Sequence, residues 1–297
     1  MMRSIFIYLS QQPGLRRWME HSPLARPLTR RFIAGNTLAE ALAVCEKMNA
    51  EGILTTLDHL GESVTEIAEA NHSRDHCLQA LQQIADRKLK STVSIKLTQM
   101  GLDIDAGLCL ANARKLVELA KQTGSRVEFD MESSAYVDRT LAIVEQLHEE
   151  FGCVRAVIQA YLFRSLADIE NLNARLLPVR ICKGAYAEPS SVAYADKSDV
   201  DKNYLKLARI LLENGAYPAI ATHDERMVSA GQDFPKDCFE YQMLYGVRRD
   251  LQRKLIGQGY RLRIYVPYGD AWYPYFMRRL AERPANVLFL LRNFFKN

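Results

Sequence analysis

Residues 92–130 read TVSIKLTQMGLDIDAGLCLANARKLVELAKQTGSRVEFD, and this stretch contains one complete repeating unit of the fold. It starts with a short β-branched run, 92–97, continues as a longer amphipathic stretch, 106–122, and returns to a second short run, 126–130. Short buried runs of this kind predict strands, and longer runs with one apolar face predict helices. Gly124 is placed to end the helix. The stretch is therefore predicted to form a strand, a helix and a second strand.

The same alternation recurs eight times between residues 52 and 282. The predicted strands are 52–57, 92–97, 126–130, 156–159, 179–182, 217–221, 239–243 and 261–266. Strands separated by helix-length intervals form right-handed βαβ units, and eight such units close on themselves. The sequence predicts an α/β fold, a distorted (β/α)8 TIM-like barrel over residues 46–297, preceded by an N-terminal helical arm over residues 1–45.

Nearly every predicted strand ends in a polar or aromatic functional group. Parallel strands that are buried on both faces have no structural need for such groups. In a (β/α)8 barrel the C-terminal strand ends form the active-site face, so groups far apart in sequence would meet there. The residues concerned are Asp58, His59, Lys96, Asp130, Gln159, Arg180, Lys183, His223, Gln242 and Tyr265.

Local patterns predict several helix starts and one loop. Ser63 is predicted to cap the helix after the first strand, with Glu66 completing a capping box. Ser165 and Asp224 are predicted caps of later helices. The long interval after the fifth strand contains residues 186–199, which are predicted to form a loop that covers a ligand.

Composition limits the class and the compartment. A hydrophobic content of 48% and a charged content of 25% are ordinary for a soluble globular protein. The net charge of +4 is mild, and the arginine-rich start has no interleaved aromatic residues, so no nucleic-acid partner is predicted. The six cysteines form no CxxC pair and are interpreted as reduced core residues of a cytoplasmic protein. The sequence leaves the oligomeric state open.

Two further patterns are given a structural interpretation. Glu69, His72 and His76 share one helical face, but they lie away from the strand ends, so a solvated face is predicted and no metal. Residues 287–296 combine apolar and basic side chains at the end of the chain. They are predicted to pack on the barrel, and peripheral membrane contact stays open as the alternative.

The first chemical constellation is Tyr275, Arg278 and Arg279, which share one face of a helix after the eighth strand. Two adjacent guanidiniums suit a bidentate carboxylate, and a solvated basic face is the alternative.

Lys96 and Asp130 end neighbouring strands. They can form a structural ion pair, bind a substrate carboxylate, or supply a Schiff-base lysine.

The second constellation surrounds the fifth strand. Arg180, Lys183 and Gly184 place two cations and a glycine where the strand opens into its loop, which suits phosphate or a reduced flavin. Amide side chains and His223 at nearby strand ends offer the donors and acceptors that a flavin edge needs. A lone histidine or glutamine is more often an ordinary loop residue.

Taken together, these segments resemble the proline dehydrogenase family in its short monofunctional bacterial form. The matching stretches are LDHLGE at 57–62, SIKLTQ at 94–99, EFDME at 128–132, RICKGAY at 180–186, ATHD at 221–224, FEYQ at 239–242, and residues 264–283. The resemblance implies a barrel that binds FAD and oxidises L-proline to Δ1-pyrroline-5-carboxylate, the first step of proline catabolism to glutamate. It also implies that a quinone at the membrane receives the electrons.

The resemblance also implies a role for each matching residue. Asp130 and Arg180 would be catalytic, and Glu62 would pair with Arg278 as a gate. The implied substrate-binding residues are Lys96, Arg278, Arg279, Tyr265, Tyr275 and Leu244. The implied FAD contacts are Met131, Gln159, Arg180, Lys183, Gly184, Ala185, Thr222 and His223.

The long bifunctional relatives of this family add an aldehyde dehydrogenase domain and in some cases a DNA-binding domain. The 297 residues leave room for neither, so those functions are not expected. Two alternative interpretations of the function remain open. One is a Schiff-base aldolase on the same barrel with Lys96 or Lys183 as nucleophile, and the other is a non-catalytic ligand-binding barrel.

Overall fold

The computed structural model describes residues 31–61, 63–273 and 275. Eight strands close into a barrel in which every neighbouring pair is parallel and the strands follow one another in chain order. They are β1 (Leu54–His59), β2 (Ser91–Ile95), β3 (Val127–Phe129), β4 (Val154–Gln159), β5 (Val179–Cys182), β6 (Ala219–Ala221), β7 (Glu240–Leu244) and β8 (Leu262–Tyr268). The predicted (β/α)8 barrel is confirmed.

Helices surround the barrel between the strands. They are α1 (Leu38–Ala50), α2 (Ile67–Asp86), α3 (Ala106–Gln122), α4 (Val137–Phe151), α5 (Ser165–Ala174), α6 (Lys197–Asn214), α7 (Glu225–Val228) and α8 (Arg249–Gly257). Short 3-10 helices occupy Leu97–Met100, Ser134–Tyr136 and Ser229–Gly231. None of the helices in the described ranges is long and apolar enough to cross a membrane.

The first described helix, α1, packs against β1 and β8 and spans the predicted boundary at residue 45. Its start is a capping box, because the Thr37 side chain accepts a hydrogen bond from the Glu40 backbone and the Glu40 side chain accepts one from the Thr37 backbone. Residues 1–30 lie outside the described part of the chain, so the division into an arm and a barrel stays a prediction.

Two of the three predicted helix caps are wrong. Helix α2 begins at Ile67 with Glu66 as its N-cap, whereas Ser63 has a left-handed backbone (φ +57°). The Ser165 hydroxyl donates to the Gln159 carbonyl at 2.6 Å, so it does not cap α5, whose N-cap is Arg164. Asp224 does cap α7, because its carboxylate accepts from the Arg226 backbone N–H at 3.1 Å.

Strand β6 also begins later than predicted, at Ala219 instead of residue 217. The backbone of Tyr217 is left-handed (φ +50°), a conformation that a strand cannot contain. The loop after β5 is confirmed from residue 186 to residue 196, and residues 197–199 belong to α6.

The interior of the barrel contains a buried ion network that sequence patterns did not predict. The Arg155 guanidinium lies 2.6 Å from Glu240 and 3.3 Å from Glu128, and Arg263 lies 2.7 Å from Glu240. Arg155 and both carboxylates are fully buried. Charged side chains within these strands therefore support the fold as well as the site, because a buried charge is tolerated only with a partner.

The cysteines differ from the prediction at one position. Cys45, Cys77 and Cys109 are buried, Cys153 and Cys182 are partly buried, and Cys238 is exposed. All six are free thiols. Among the described residues, no three histidine, cysteine or acidic side chains are grouped so that they can hold a metal ion.

A stack of imidazoles joins the end of β1 to α2. The His59 and His76 rings are nearly parallel with centroids 4.5 Å apart, and the His72 ring meets His76 edge-on at 4.6 Å. Burial, together with the nearby His76 and His72, lowers the pKa of His59 from 6.5 to about 4. The folded protein therefore holds His59 neutral.

Stability is expected to fall as the pH drops from 6.5 towards 4, since the unfolded chain binds a proton on His59 that the folded chain excludes. Between pH 7.5 and pH 5 we expect a loss of about 1 kcal/mol from this residue, after allowance for its partial exposure. Thermal melts should show a smaller acid destabilisation for His59→Asn than for the wild type. His148→Asn, on α4, is the control, and equal slopes for all three proteins would contradict the assignment.

Candidate active site

The C-terminal ends of β1, β2 and β3 bring one lysine between two carboxylates. Lys96 directly follows β2, and its Nζ lies 3.6 Å from an oxygen of Asp58 in β1 and 3.6 Å from an oxygen of Asp130 after β3. Lys96 is largely buried, with 8% of its surface exposed. The predicted neighbour pair of Lys96 and Asp130 is confirmed, and Asp58 completes it.

Arg180 in β5 reaches the same place from the other side of the barrel. One guanidinium nitrogen pairs with Asp130, and the other lies 3.3 Å from Glu128 and 3.1 Å from the Gln242 amide oxygen. The guanidinium carbon lies 5.5 Å from the centre of the Tyr265 ring. Two carboxylates, one within β3 and one directly after it, therefore hold this cation in one orientation.

Asp130 is the centre of the cluster. Besides Lys96 and Arg180, its carboxylate accepts hydrogen bonds from the Tyr265 hydroxyl at 2.5 Å and from the Ser94 hydroxyl at 2.7 Å. Burial would raise the pKa of Asp130, but the Arg180 and Lys96 cations and these hydrogen bonds hold it below its ordinary value. Asp130 is therefore an anion that positions its partners, and its charge is balanced by two cations.

The negative charge of Asp130 also changes the pKa values of Tyr265 and Arg180. Burial and the negative charge of Asp130 raise the pKa of Tyr265 well above its ordinary value, so its hydroxyl remains a donor. Burial disfavours the charged form of Arg180, but Asp130 and Glu128 outweigh that effect and raise its pKa. The mouth of the barrel thus contains a permanent cation next to a neutral phenol.

Asp58 has the opposite character. It is fully buried, and within the described residues neither of its carboxylate oxygens accepts a hydrogen bond. Burial raises its pKa, the negative charge of Asp130 adds to that shift, and Lys96 offsets it only in part. The ionised carboxylate is therefore costly to the fold, and it stands directly beside the lysine of the site.

Asp58→Asn is expected to stabilise the protein and to impair the enzyme. Because the folded pKa of Asp58 is raised above its unfolded value, stability falls as the pH rises from the unfolded pKa to the folded pKa, and the full penalty persists at higher pH. The amide cannot ionise and removes this penalty. Lys96 loses one of its two carboxylates, so we expect kcat/KM for the substrate that the family resemblance implies to fall at least about tenfold. Thermal melts at pH 8 and steady-state kinetics check both effects, with Asp233→Asn, a change at an exposed aspartate, as control. Unchanged kinetics would contradict the role.

The side chains around the rim are also engaged. Lys183 Nζ lies 2.5 Å from Asp201 on α6 and 3.3 Å from Asp224. The His223 Nε2 accepts the Leu244 backbone N–H at 2.9 Å, and Gln159 donates to the Glu132 carbonyl at 2.8 Å. These residues lie at the strand ends as predicted. Their contacts with a cofactor stay predictions.

Gly184 opens the loop after β5 in a conformation that suits glycine. Its φ is +105°, and an added Cβ would collide with the Tyr161 ring. That ring belongs to the wall of the rim, where the Tyr161 hydroxyl lies 3.4 Å from Glu188. Glu188 in turn accepts hydrogen bonds from the Ser134 N–H at 2.7 Å and the Ser134 hydroxyl. The loop is therefore tied across the ends of β3 and β4.

Gly184→Ala is expected to destabilise the protein by about 2 kcal/mol or more, because it combines a left-handed backbone with a steric clash. Gly257→Ala is the matched control. Gly257 lies in α8 with nothing within 4 Å of its added Cβ, so alanine should be neutral or stabilising there. Chemical denaturation measures both variants. Equal stability of the two would show that the backbone at Gly184 relaxes freely.

Of the remaining predicted site residues, some lie within the described part of the chain and others lie outside it. Met131 and Tyr275 are buried, Thr222 is buried beside Asp224, and Leu244 pairs with Tyr265 in the register of β7 and β8. Ala185 follows Gly184 in the same loop. The predicted gate, Glu62, and the predicted carboxylate arginines, Arg278 and Arg279, lie outside the described residues.

Sequence reasoning assigned no role to three residues of the cluster: Asp58, Ser94 and Glu128. Asp58 was recognised at a strand end without a role. Gln242 was considered only as an amide for a flavin edge, and in the structure it accepts a hydrogen bond from Arg180 at 3.1 Å. Ser94 lies two residues before Lys96, and Glu128 lies two residues before Asp130. Side chains two apart on a strand point to the same face, so this period is the signal that could have found both.

Fold and site together define a (β/α)8-barrel enzyme with paired acids and cations at its catalytic mouth. The family model described as proline dehydrogenase matches residues 41–292. The chain is 40% identical to proline dehydrogenase 1 of Bacillus subtilis (strain 168) over the full length of both chains. It is 41% identical to proline dehydrogenase of Deinococcus radiodurans over 91% of this chain and 90% of that one.

A solved structure agrees with these matches. Proline utilization A from Bdellovibrio bacteriovorus, inactivated by N-propargylglycine, superposes with a TM-score of 0.82 and 27% identity, over 92% of this chain and 34% of that one. The chain belongs to the proline dehydrogenase family, and it is an oxidoreductase.

Proposed function

We propose that this protein catalyses the FAD-dependent oxidation of L-proline to Δ1-pyrroline-5-carboxylate and passes the electrons to a quinone. This reaction is the first step of proline catabolism to glutamate. The observation that carries the proposal is the meeting of Lys96, Asp130, Arg180 and Tyr265 at one mouth of the barrel. Family membership supports the choice of substrate.

The substrate side of the proposal rests on Lys96. Its ammonium is held between Asp58 and Asp130, so its orientation is set before a ligand arrives. We assign the proline carboxylate to Lys96 together with Arg278 and Arg279, which would bind it in bidentate fashion. Tyr265, Tyr275 and Leu244 would surround the small ring, and Asp130 keeps both cations and the Tyr265 hydroxyl in place.

The described residues at the C-terminal ends of β3, β4, β5 and β6 have the charge and the hydrogen-bonding groups that suit a flavin. Arg180 is a buried, permanently charged group at this face, and such a group stabilises negative charge on a reduced flavin ring. When bound, FAD supplies the acceptor for the hydride of the substrate. The residues assigned to hold it are Met131, Gln159, Arg180, Lys183, Gly184, Ala185, Thr222 and His223.

The location of the enzyme follows from its electron acceptor. A quinone resides in the membrane, so we propose a cytoplasmic protein that meets it by peripheral contact. Residues 287–296 are predicted to pack on the barrel, and their contact with the membrane is the alternative. Glu62 and Arg278 would pair when the site closes over its substrate and so exclude water.

An anaerobic visible spectrum before and after addition of L-proline tests the proposal. The purified protein is expected to show oxidised flavin absorbance that bleaches with L-proline and not with D-proline. A colourless protein that takes up no added FAD would refute the cofactor. Flavin that proline leaves oxidised would refute the substrate.

The Schiff-base rival is separated by borohydride trapping. That chemistry needs an amine that is free to attack a carbonyl carbon, and Lys96 and Lys183 are each engaged by two carboxylates. No lysine adduct with the substrate is expected in a mass spectrum of the trapped protein. A stoichiometric adduct at either lysine would favour the aldolase.

A further inference from the structure

The barrel has a second cavity at the end opposite to the catalytic mouth. It has a volume of about 560 Å³, and its walls are the N-terminal ends of β1, β2 and β3 with the turns that precede β2, β3 and β4. Arg126 precedes β3 and Asp130 follows it, so the two ends of this strand mark the two sites. At about 3.3 Å per residue they are roughly 13 Å apart along the strand.

The cavity is positively charged. Its walls include Lys88, Lys90, Arg126 and Arg263, and none of the sixteen described residues that line it is acidic. Arg263 forms the floor and is already paired with Glu240 at 2.7 Å. Arg261, at the neighbouring strand start, lies 3.3 Å from the Tyr217 hydroxyl and adds a further cation near the rim.

Arg126 is a cation of this region that has no directly paired carboxylate among the described residues. Below the mouth, Arg155, Arg180 and Arg263 share Glu128, Glu240 and Asp130 as partners. The Arg126 side chain is partly buried, and within the described residues its guanidinium makes no hydrogen bond or ion pair. Burial and the repulsion of Arg155 and Arg263 lower its pKa to about 10, although the negative charges of Glu128 and Glu240 partly oppose that shift. Arg126 therefore stays charged at neutral pH.

Lys88 and Lys90 line the same cavity as Arg126 and add two positive charges to it. Both side chains are exposed, and neither forms an ion pair with a described residue. A guanidinium fork with two ammonium groups matches a tetrahedral anion of multiple charge better than a planar carboxylate, which one arginine satisfies. The Tyr217 ring lies between Arg155 (5.7 Å) and Arg261 (5.6 Å), so it is not available to stack on a nucleobase.

We propose that this cavity binds a small multivalent anion of the phosphate class, through Arg126, Lys88 and Lys90. The inference does not depend on the proposed reaction, because none of these residues belongs to the catalytic mouth. A bound phosphate group would pair the cation that the fold leaves open, and it would stabilise the folded protein by mass action.

Titration with sodium pyrophosphate at constant ionic strength tests the proposal, by calorimetry and by thermal melts. The protein is used as the full chain loaded with FAD and freed of unbound FAD, so that cations at the mouth are covered and no free diphosphate competes. Saturable binding with a rise in melting temperature is expected for the wild type. Arg126→Gln should bind at least about tenfold more weakly, since it removes charge-assisted hydrogen bonds. Lys206→Gln, an exposed lysine on α6, should bind like the wild type.

The double variant Lys88→Gln/Lys90→Gln tests the site independently, in case Arg126→Gln fails to fold. Both lysine side chains are exposed, so their replacement should leave the fold intact. It too should weaken binding. Absence of saturable binding beyond a sodium chloride control would overturn the proposal. Arg126→Gln binding within threefold of the wild type would also overturn it, and so would tighter binding of succinate than of pyrophosphate, which would make the site a dicarboxylate site.

Discussion

Replacement of Arg180 by methionine is expected to slow the reduction of the flavin by L-proline by about a hundredfold to a thousandfold. That range is typical when one preorganised electrostatic donor is removed from a site where negative charge develops. Methionine keeps much of the apolar length of arginine but loses the contacts with Asp130, Glu128 and Gln242. Stopped-flow absorbance under anaerobic conditions gives the rate constant.

The matched control is Arg209→Met, which changes an exposed arginine on α6. Arg180→Lys is the informative intermediate, because it keeps the charge but cannot bridge both carboxylates, and its rate should lie between those of the wild type and Arg180→Met. Melting temperature and flavin content identify a variant that fails to fold, since breaking a buried pair costs about 3 to 5 kcal/mol. A folded Arg180→Met protein with a rate within threefold of the wild type would rule out the role.

Asp130→Asn is expected to lower kcat/KM for proline by about thirtyfold to several thousandfold. Truncating one partner of a buried, hydrogen-bonded charge pair typically costs about 2 to 5 kcal/mol. Here the loss is shared by Lys96, Arg180 and Tyr265, because the Asp130 carboxylate holds all three. Asparagine has nearly the same shape, so the change tests the charge and not the volume.

Tyr265→Phe is the control for Asp130→Asn. It removes the 2.5 Å hydrogen bond to Asp130 and leaves the two ion pairs in place, so we expect a loss of about tenfold or less. Steady-state kinetics with proline, reported as kcat and KM separately, distinguish binding from chemistry. If Tyr265→Phe were the more damaging change, the hydroxyl and not the charge would dominate the cluster.

Much of the barrel was predictable because strand and helix patterns are local. The run 92–97 and the helix 106–122 are encoded in residues that are neighbours in sequence, and α3 (Ala106–Gln122) was predicted to the residue. The predicted helix caps were wrong where another interaction or another residue took the place of the expected cap. Ser165 resembles a cap, but its hydroxyl bonds to the Gln159 carbonyl, and Glu66 replaces Ser63 at the start of α2.

The site was predictable for a related reason. Parallel closure puts every strand end at one face, so Lys96, Asp130, Arg180 and Tyr265 had to approach one another once the barrel was assumed. Family resemblance then proposed their roles. The buried partners Ser94 and Glu128 follow from the two-residue period of the strands, although the prediction did not use it.

Sequence alone predicted the fold class, the order of the strands and which of the described residues meet at the C-terminal mouth of the barrel, because these depend on local patterns of strands and helices. Only the tertiary structure decided which charges are structural, which are positioned for chemistry and which are left without a partner. Tyr265 meets Asp130 across 135 positions of the chain, and Arg155 meets Glu240 across 85. Such pairs depend on strand register and burial. The lack of a directly paired carboxylate at Arg126 likewise appears only in the folded protein, where Glu128 and Glu240 pair directly with other arginines.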